Sequence, residues 1–148
     1  MQKLVLTEEE QMVRESAADF LSQKAGPGAL RKIRDTANPQ GFSSEVWLEM
    51  AELGWPSILI EEAQGGLGFS HVAMGQIMEL CGSTLACSPL FSTAVVGASA
   101  LSLGGDRLAL LPKVAAGSLT LALAIDEAPR HNPQGIATRA VRRGDGYI

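Results

Sequence analysis

Cysteine is scarce in this chain, and its placement argues against chemistry. Cys81 and Cys87 lack the close paired spacing of a zinc or redox site, and two cysteines are too few for a disulfide framework. Both read as buried thiols. Basic charge is equally thin. Twelve Lys and Arg against sixteen Asp and Glu, a net charge of -4, leave no basic face broad enough to neutralise phosphates along a duplex, so nucleic acid is excluded as an expected partner. No apolar run approaches the roughly 18 residues needed to cross a bilayer. The start, "MQKLVLTEEE", carries one Lys and a short apolar run before acids begin, which is neither a signal nor a transit peptide. A cytoplasmic protein is therefore expected. The histidines, His71 and His131, have no companion at ligand spacing, so no metal site is expected. His71 reads as a surface residue at a helix start. Internal repeats and low-complexity segments are also missing.

What remains is a chain that is 46% hydrophobic and 19% charged, ordinary for a globular domain. At this length about 70% of the unfolded surface can be buried, enough for one real core. Helix signals dominate. Thr7 and Glu10 form a capping box, after which Val13, Ala17, Phe20 and Leu21 fall on one face until Gly26 and Pro27. A short basic segment, Ala29 to Asp35, leads to the turn residues "NPQG". Ser43 then caps a helix with Trp47, Met50 and Ala51 on one side, closed by Gly54 and Pro56. Ser57 to Ile60 read as extended. Ser70 caps the next helix, with Ala73, Ile77 and Leu80 inward. Ser88 and Pro89 start another that runs to Leu103 and stops at Gly104. Asp106 caps one more through Val114, ending at Gly117.

Beyond Ser118 the pattern changes. "LTLALAI" predicts a buried strand, "IATRAVR" a more polar second one, and "RGDG" a turn into "YI". A last strand of two residues cannot complete a sheet, and unpaired edges are a liability. The expectation is a piece of something longer, or a chain whose sheet a partner finishes. Residues 1–117 thus read as an α-helical domain and 118–148 as the incomplete beginning of a β-domain.

The stretch "EEAQGGLGFS" sets three glycines into four positions and raises the question of a phosphate cradle. A P-loop needs Gly followed by Lys and Ser or Thr, and a dinucleotide fingerprint needs G-x-G-x-x-G after a strand. "GGLG" has neither the order nor the context. It reads as a tight corner that lets Leu67 and Phe69 tuck inward.

Taken whole, "FSSEVWLEMAELGWPSILIEEAQGGLGFS" resembles the N-terminal helical domain of the acyl-CoA dehydrogenase family, in which an A-E-L-G helix end, a short link and a P-E-E-x-G-G-x-G loop precede the next helix. The likeness continues through "LACSPLFSTAVVGASAL", "LLPKVAAGSLTLALAI" and "RRGDGYI", covering nearly the whole chain in the family's order. The resemblance implies a mainly α fold, an N-terminal helical bundle followed by the first strands of a β-barrel-like middle domain. It implies FAD and α,β-dehydrogenation of an acyl-CoA thioester, a glutamate base removing the α-proton while the β-hydrogen leaves as hydride. No carboxylate here matches that base, so the 148 residues alone are expected to be inactive. It further implies an electron-transfer flavoprotein as electron acceptor, and a homo- or hetero-oligomer.

Where the family has T-E-P-G-A-G-S-D around the flavin, this chain reads "IDEAPRHNPQG". By register Ile125 keeps a backbone contact to the flavin, Asp126 replaces the Thr, Glu127 matches the Glu, and Asn132 falls where a Ser approaches the CoA arm. An ionised Asp126 can accept from the flavin N3 hydrogen but cannot donate to a carbonyl oxygen. Arg130 and His131 read as charged tips of a solvated loop, with a phosphate contact as the alternative. The form "LACSPLFSTAVV" looks like the subgroup acting on bulky substrates such as steroid side-chain thioesters. Some of those enzymes are built from two different subunits, one of which has lost the flavin contacts. A non-catalytic, flavin-degenerate subunit is accordingly the second expectation. Carried over, Cys87, Leu90, Phe91 and Val95 shape the far end of the acyl pocket. Small and apolar residues facing inward also suit plain core packing, and both readings stand at this point.

Overall fold

The computed structural model describes residues 5–106 and 109–148. Residues 1–4, which begin the stretch read as lacking a leader, and Arg107 and Leu108, inside the segment after Asp106, lie outside the described residues. The described residues are mainly helical: α1 (Glu8–Lys24), α2 (Pro27–Asp35), α3 (Ser44–Glu52), α4 (His71–Thr84), a π-helical stretch (Phe91–Gly97) running into α5 (Ala98–Gly104), and α6 (Leu111–Ala115). A two-stranded antiparallel hairpin, β1 (Arg142–Arg143) with β2 (Gly146–Tyr147), comes last.

The helix starts follow from side-chain oxygens that satisfy the first free amides. Thr7 Oγ1 accepts from the Glu10 amide at 3.2 Å while Glu10 returns to the Thr7 amide at 3.0 Å. Ser43 and Ser70 cap α3 and α4 by accepting from Val46 and Ala73. Glu10 also accepts from the Ser70 hydroxyl at 2.8 Å, so one carboxylate ties two helix starts together. Its pKa is held below the ordinary value, the Thr7 amide contributing most and Ser70 next. Asp106 acts at a longer reach than a simple cap, its two carboxylate oxygens accepting from the Leu110 and Leu111 amides at 2.8 and 3.0 Å.

The expected inward faces are the ones buried. Ala17, Leu21, Trp47, Met50, Ala73 and Ile77 are all in the core, while Val13, Phe20 and Leu80 pack half-buried against it. The most extensive pairing joins α1 to α4. Arg14 crosses it, donating to Gln76 at 2.6 Å and meeting Glu79 at 3.2 Å. Phe20 meets Trp55 edge to face, centroids 5.2 Å apart. A smaller cluster of Ile60, Ala98, Leu111 and Val114 holds α5 and α6 together.

Residues 57–60 depart from the extended reading: Trp55–Ser57 form a 3-10 turn and Ile58 is right-handed helical. The turn lets Pro56, Ser57, Ile58 and Ile60 all be buried, which an alternating strand could not do. The glycine corner closes back on this turn. Leu67, Gly68 and Phe69 donate to the carbonyls of Ser57, Ile60 and Ile58 at 3.0, 2.8 and 2.8 Å. These amides are therefore spent on the chain itself, as a corner requires and a phosphate cradle does not. A side chain on Gly66 would collide with the Ile60 carbonyl. Phe69 is half-buried as expected, but Leu67 stays 40% exposed over Gly54.

The "LTLALAI" segment, expected as a strand, forms no strand among the described residues. It is held by the helices instead. The Trp47 indole donates to the Gly117 carbonyl at 2.8 Å in a buried bond, and Gly117, at φ +69°, lies so close to Ala51 that a side chain would overlap its methyl. "IATRAVR" enters ordered pairing at its last two residues, where Val141 faces Ile148 and Arg142 faces Tyr147. The "RGDG" turn is as expected, with Val141 and Ile148 exchanging both backbone bonds beyond it.

Trp47→Phe should cost about 1–3 kcal/mol, because a buried carbonyl loses its donor. Gly117→Ala should cost more, combining a left-handed φ with overlap on Ala51. The urea midpoint of unfolding checks both; equal midpoints for wild type and Gly117→Ala would refute the close approach.

Candidate functional site

Two adjoining grooves run along the helix that begins at Leu90. One, of about 260 Å³, is lined by Leu59, Met74, Met78, Phe91 and Val95 with the small Gly75. The other, of about 250 Å³, is lined by Ile60, Ala98, Ser102, Leu103 and Leu111. Leu59, His71 and Ser99 belong to both. Among the described residues lining them, none is Asp or Glu. The wall of Leu59, Met74, Met78, Phe91 and Val95 is apolar and suits an acyl group, while His71, Ser99 and Ser102 supply the polar atoms of the two grooves.

The π-helical stretch is what brings this wall together. Its widened turn ends with the Ala98 amide bonded to the Thr93 carbonyl, five residues back, and such insertions are frequent at functional sites. Phe91, Val95 and Ser99 look into the groove. Thr93, Ala94 and Gly97 are buried on the other side. Of the four residues carried over from the family's pocket, Phe91, 60% exposed, and Val95 share the groove. Leu90 is 1% exposed in the core beneath. Cys87 lies apart, its thiol donating to the Gly41 carbonyl at 2.9 Å. Cys81 is held in the α4 flank of the core, where burial pushes its thiol up to about 11, an unreactive thiol. Missed from the sequence were Leu59, Met74, Met78 and Ser99, and His71, which read as a surface residue, borders both grooves. A helical wheel of α4 carries Met74 and Met78 at groove spacing. Nothing comparable announces the π turn.

The residues aligned with a flavin contact are elsewhere, in an exposed loop after the half-buried Ile125. Asp126 meets His131 Nδ1 at 2.7 Å. Glu127 accepts from the Ala137 amide at 2.7 Å and from the Thr138 amide at 3.2 Å, closing the loop across ten residues of sequence. Thr138 first and the Ala137 amide next hold the Glu127 carboxyl below its ordinary value of 4.5. Asn132 stands inside this loop, beside Gly135. As placed, these carboxylates offer the carbonyl edge of a flavin ring no donor. Asp126 and Glu127 are acceptors when ionised and both are engaged, whereas the ring's carbonyl oxygens need donors.

The chain matches the model of the acyl-CoA dehydrogenase N-terminal domain over residues 7–118. The chain belongs to the acyl-CoA dehydrogenase family. The acyl-CoA dehydrogenase IpdE2 of Mycobacterium tuberculosis is 30% identical over 120 residues, 80% of this chain and 37% of that protein. A variant of the Tcur3481–Tcur3483 steroid ACAD superposes with a TM-score of 0.82 at 29% identity, over 95% of this chain and 38% of that one. The ChsE4–ChsE5 complex from Mycobacterium tuberculosis shares the fold, with a TM-score of 0.80 at 22% identity, over 99% of this chain and 39% of that one. The chain thus spans 37% of the length of IpdE2. The mainly α architecture with a short C-terminal pairing is that of the family's N-terminal helical domain and the start of its middle domain. No helix among the described residues is long and apolar enough to cross a membrane.

Because the folded pKa of Glu127 is depressed, its loop closure is complete above the ordinary carboxylate value and is lost as pH falls through the lowered one. Amide exchange of Ala137 and Thr138 should accelerate selectively below pH ~4, beyond the intrinsic pH trend. Glu127→Ala, which removes the acceptor, should show the fast exchange at neutral pH as well; protection unchanged in that variant would refute the closure.

Proposed function

We propose that the chain is the N-terminal part of an acyl-CoA dehydrogenase that catalyses α,β-dehydrogenation of an acyl-CoA thioester, with a helical domain over 1–117 that walls the acyl pocket. The observation that carries this reading is the apolar groove of Phe91, Val95, Met74, Met78 and Leu59. Small residues at Gly75 and Ser99 widen it toward a bulky acyl group. A thioester α-proton becomes acidic enough to remove once its carbonyl is polarised and a base is held in a dry pocket. This chain's own share is to exclude water from the acyl end and to orient it. The base comes from outside the described residues, consistent with a groove lined without a carboxylate. FAD as hydride acceptor, an electron-transfer flavoprotein as the onward acceptor, a homo- or hetero-oligomer and a cytoplasmic location complete the proposal.

A second reading has its own support. The Asp126–His131 pair and the Glu127 closure occupy the side chains at the flavin position. They favour a subunit of a heteromeric dehydrogenase that shapes the pocket without gripping flavin. That reading rests on those two contacts. In it, Asp126, Glu127 and Asn132 serve the loop itself.

Both readings predict that Val95→Trp in the full-length protein, with any partner subunit, blocks the groove. The Kd for octanoyl-CoA or for a steroid side-chain thioester should rise at least about tenfold, 1.4 kcal/mol, by titration calorimetry. Unchanged affinity for both would overturn the groove as the acyl site. The flavin absorbance per protomer separates the readings. Loss of flavin on Asp126→Lys supports direct contact by this chain; flavin content indifferent to Asp126→Lys and to Asn132→Ala supports the degenerate subunit.

A further inference from the structure

The wall of the groove and the segment leading to residues 125–127 meet at one side chain. Thr93 is fully buried. Its hydroxyl accepts from the Leu121 amide at 3.0 Å and donates to the Leu121 carbonyl at 3.4 Å. One hydroxyl thus takes the place of both partners that a neighbouring strand would offer Leu121. Four residues on, Gly97 lets Leu121 press directly on the helix, where a side chain would come within 2.5 Å of its Cβ. Leu119 and Leu121 then pack against Ile60, Ala98, Leu111 and Val114.

Thr93 sits within the π-helical stretch whose other side presents Phe91 and Val95 to the groove. A π turn is wider and less favourably closed than an α turn, so it is a place where a helix can change its local winding. A group pressing on Phe91 and Val95 therefore acts on the same turn that holds Leu121. Leu121 is four residues before Ile125, with the backbone between them bound to no sheet among the described residues.

We propose that Thr93 is a positioning residue, which couples occupancy of the acyl groove to the placement of residues 121–127. The coupling rests on the acyl-groove reading above. Its physical content is that a ligand seated on Phe91 and Val95 stiffens the π turn, and through the Thr93 hydroxyl the Leu121 backbone, so that the following segment opens less often when the groove is filled.

The test is amide hydrogen exchange on the full-length protein, with and without saturating octanoyl-CoA, in wild type, Thr93→Val and Thr93→Ser. In wild type the ligand should slow exchange across 121–127. Thr93→Val keeps the shape and removes the hydroxyl. It should speed exchange of the Leu121 amide about fivefold without ligand, leave α1 and α4 protection unchanged, keep the octanoyl-CoA Kd within about twofold, and abolish the ligand's effect on 121–127. Thr93→Ser should restore that effect, which a purely volumetric role would not allow. A ligand effect on 121–127 that survives Thr93→Val would overturn the coupling while leaving the groove reading intact. Loss of protection throughout α1 and α4 would overturn it by showing a general structural role. Failure of octanoyl-CoA to alter wild-type exchange anywhere, with the local change in Thr93→Val still present, would sink the groove reading and the coupling with it.

Discussion

The exit of the chain from its helices depends on a carbonyl that only a glycine could deliver. The Trp47 indole must place its one donor somewhere when the ring is buried, and it does so on Gly117. For the carbonyl to reach the ring, residue 117 must lie against Ala51 with no side chain of its own. That close approach aims everything after it across the α5–α6 cluster, where Leu119 and Leu121 find apolar surface. Thr93 then secures the same strip a few residues later. A segment without a strand neighbour is thereby held at two points by helices, which compensates the backbone groups that a sheet would have paired.

Much of the helical architecture was legible, for a local reason. Thr7, Ser43 and Ser70 announce themselves because an oxygen two or three residues before a free amide needs no tertiary context to be useful. The α1, α3 and α4 faces were legible because burial has a 3.6-residue rhythm. The glycine corner was legible by exclusion, the order of its residues being wrong for a phosphate. What failed depended on partners distant in sequence. Ser57 to Ile60 read as extended because three apolar residues in a row, Ile58 to Ile60, fit a buried strand as well as a tight turn, and the turn is decided by the corner bonding back from Leu67, Gly68 and Phe69. "LTLALAI" carries true strand composition, yet β propensity describes fitness for a pleated neighbour and not a conformation held alone.

The groove was half legible. Phe91 and Val95 share it, while Leu90 is turned into the core by the same helix and Cys87 lies before the helix begins, bonded to Gly41. A spacing of four suits one helical face, and Leu90, one residue off that spacing, goes to the core. The other wall comes from Leu59 and from α4, where Met74 and Met78 stand at one helical spacing, but that they face this helix depends on how the two helices lie together. The π turn has no sequence signature at all, since one residue of extra winding within seven is invisible to a periodicity argument.

The charged residues at 126–132 show why a family register does not by itself place a function. The resemblance would set Asp126 and Glu127 where the family grips its cofactor, but each carboxylate is already engaged within the loop. Glu127 holds two amides, and releasing it to serve another group would leave those amides to water. In an exposed loop that exchange costs little, because water replaces what the carboxylate gave. The closure is accordingly weak enough for a ligand or a second chain to displace, whereas the buried bonds of Thr93 and Trp47 are not. The lasting constraint on the site therefore lies in the helices beneath it, and the loop above is the part that a partner or cofactor is free to rearrange.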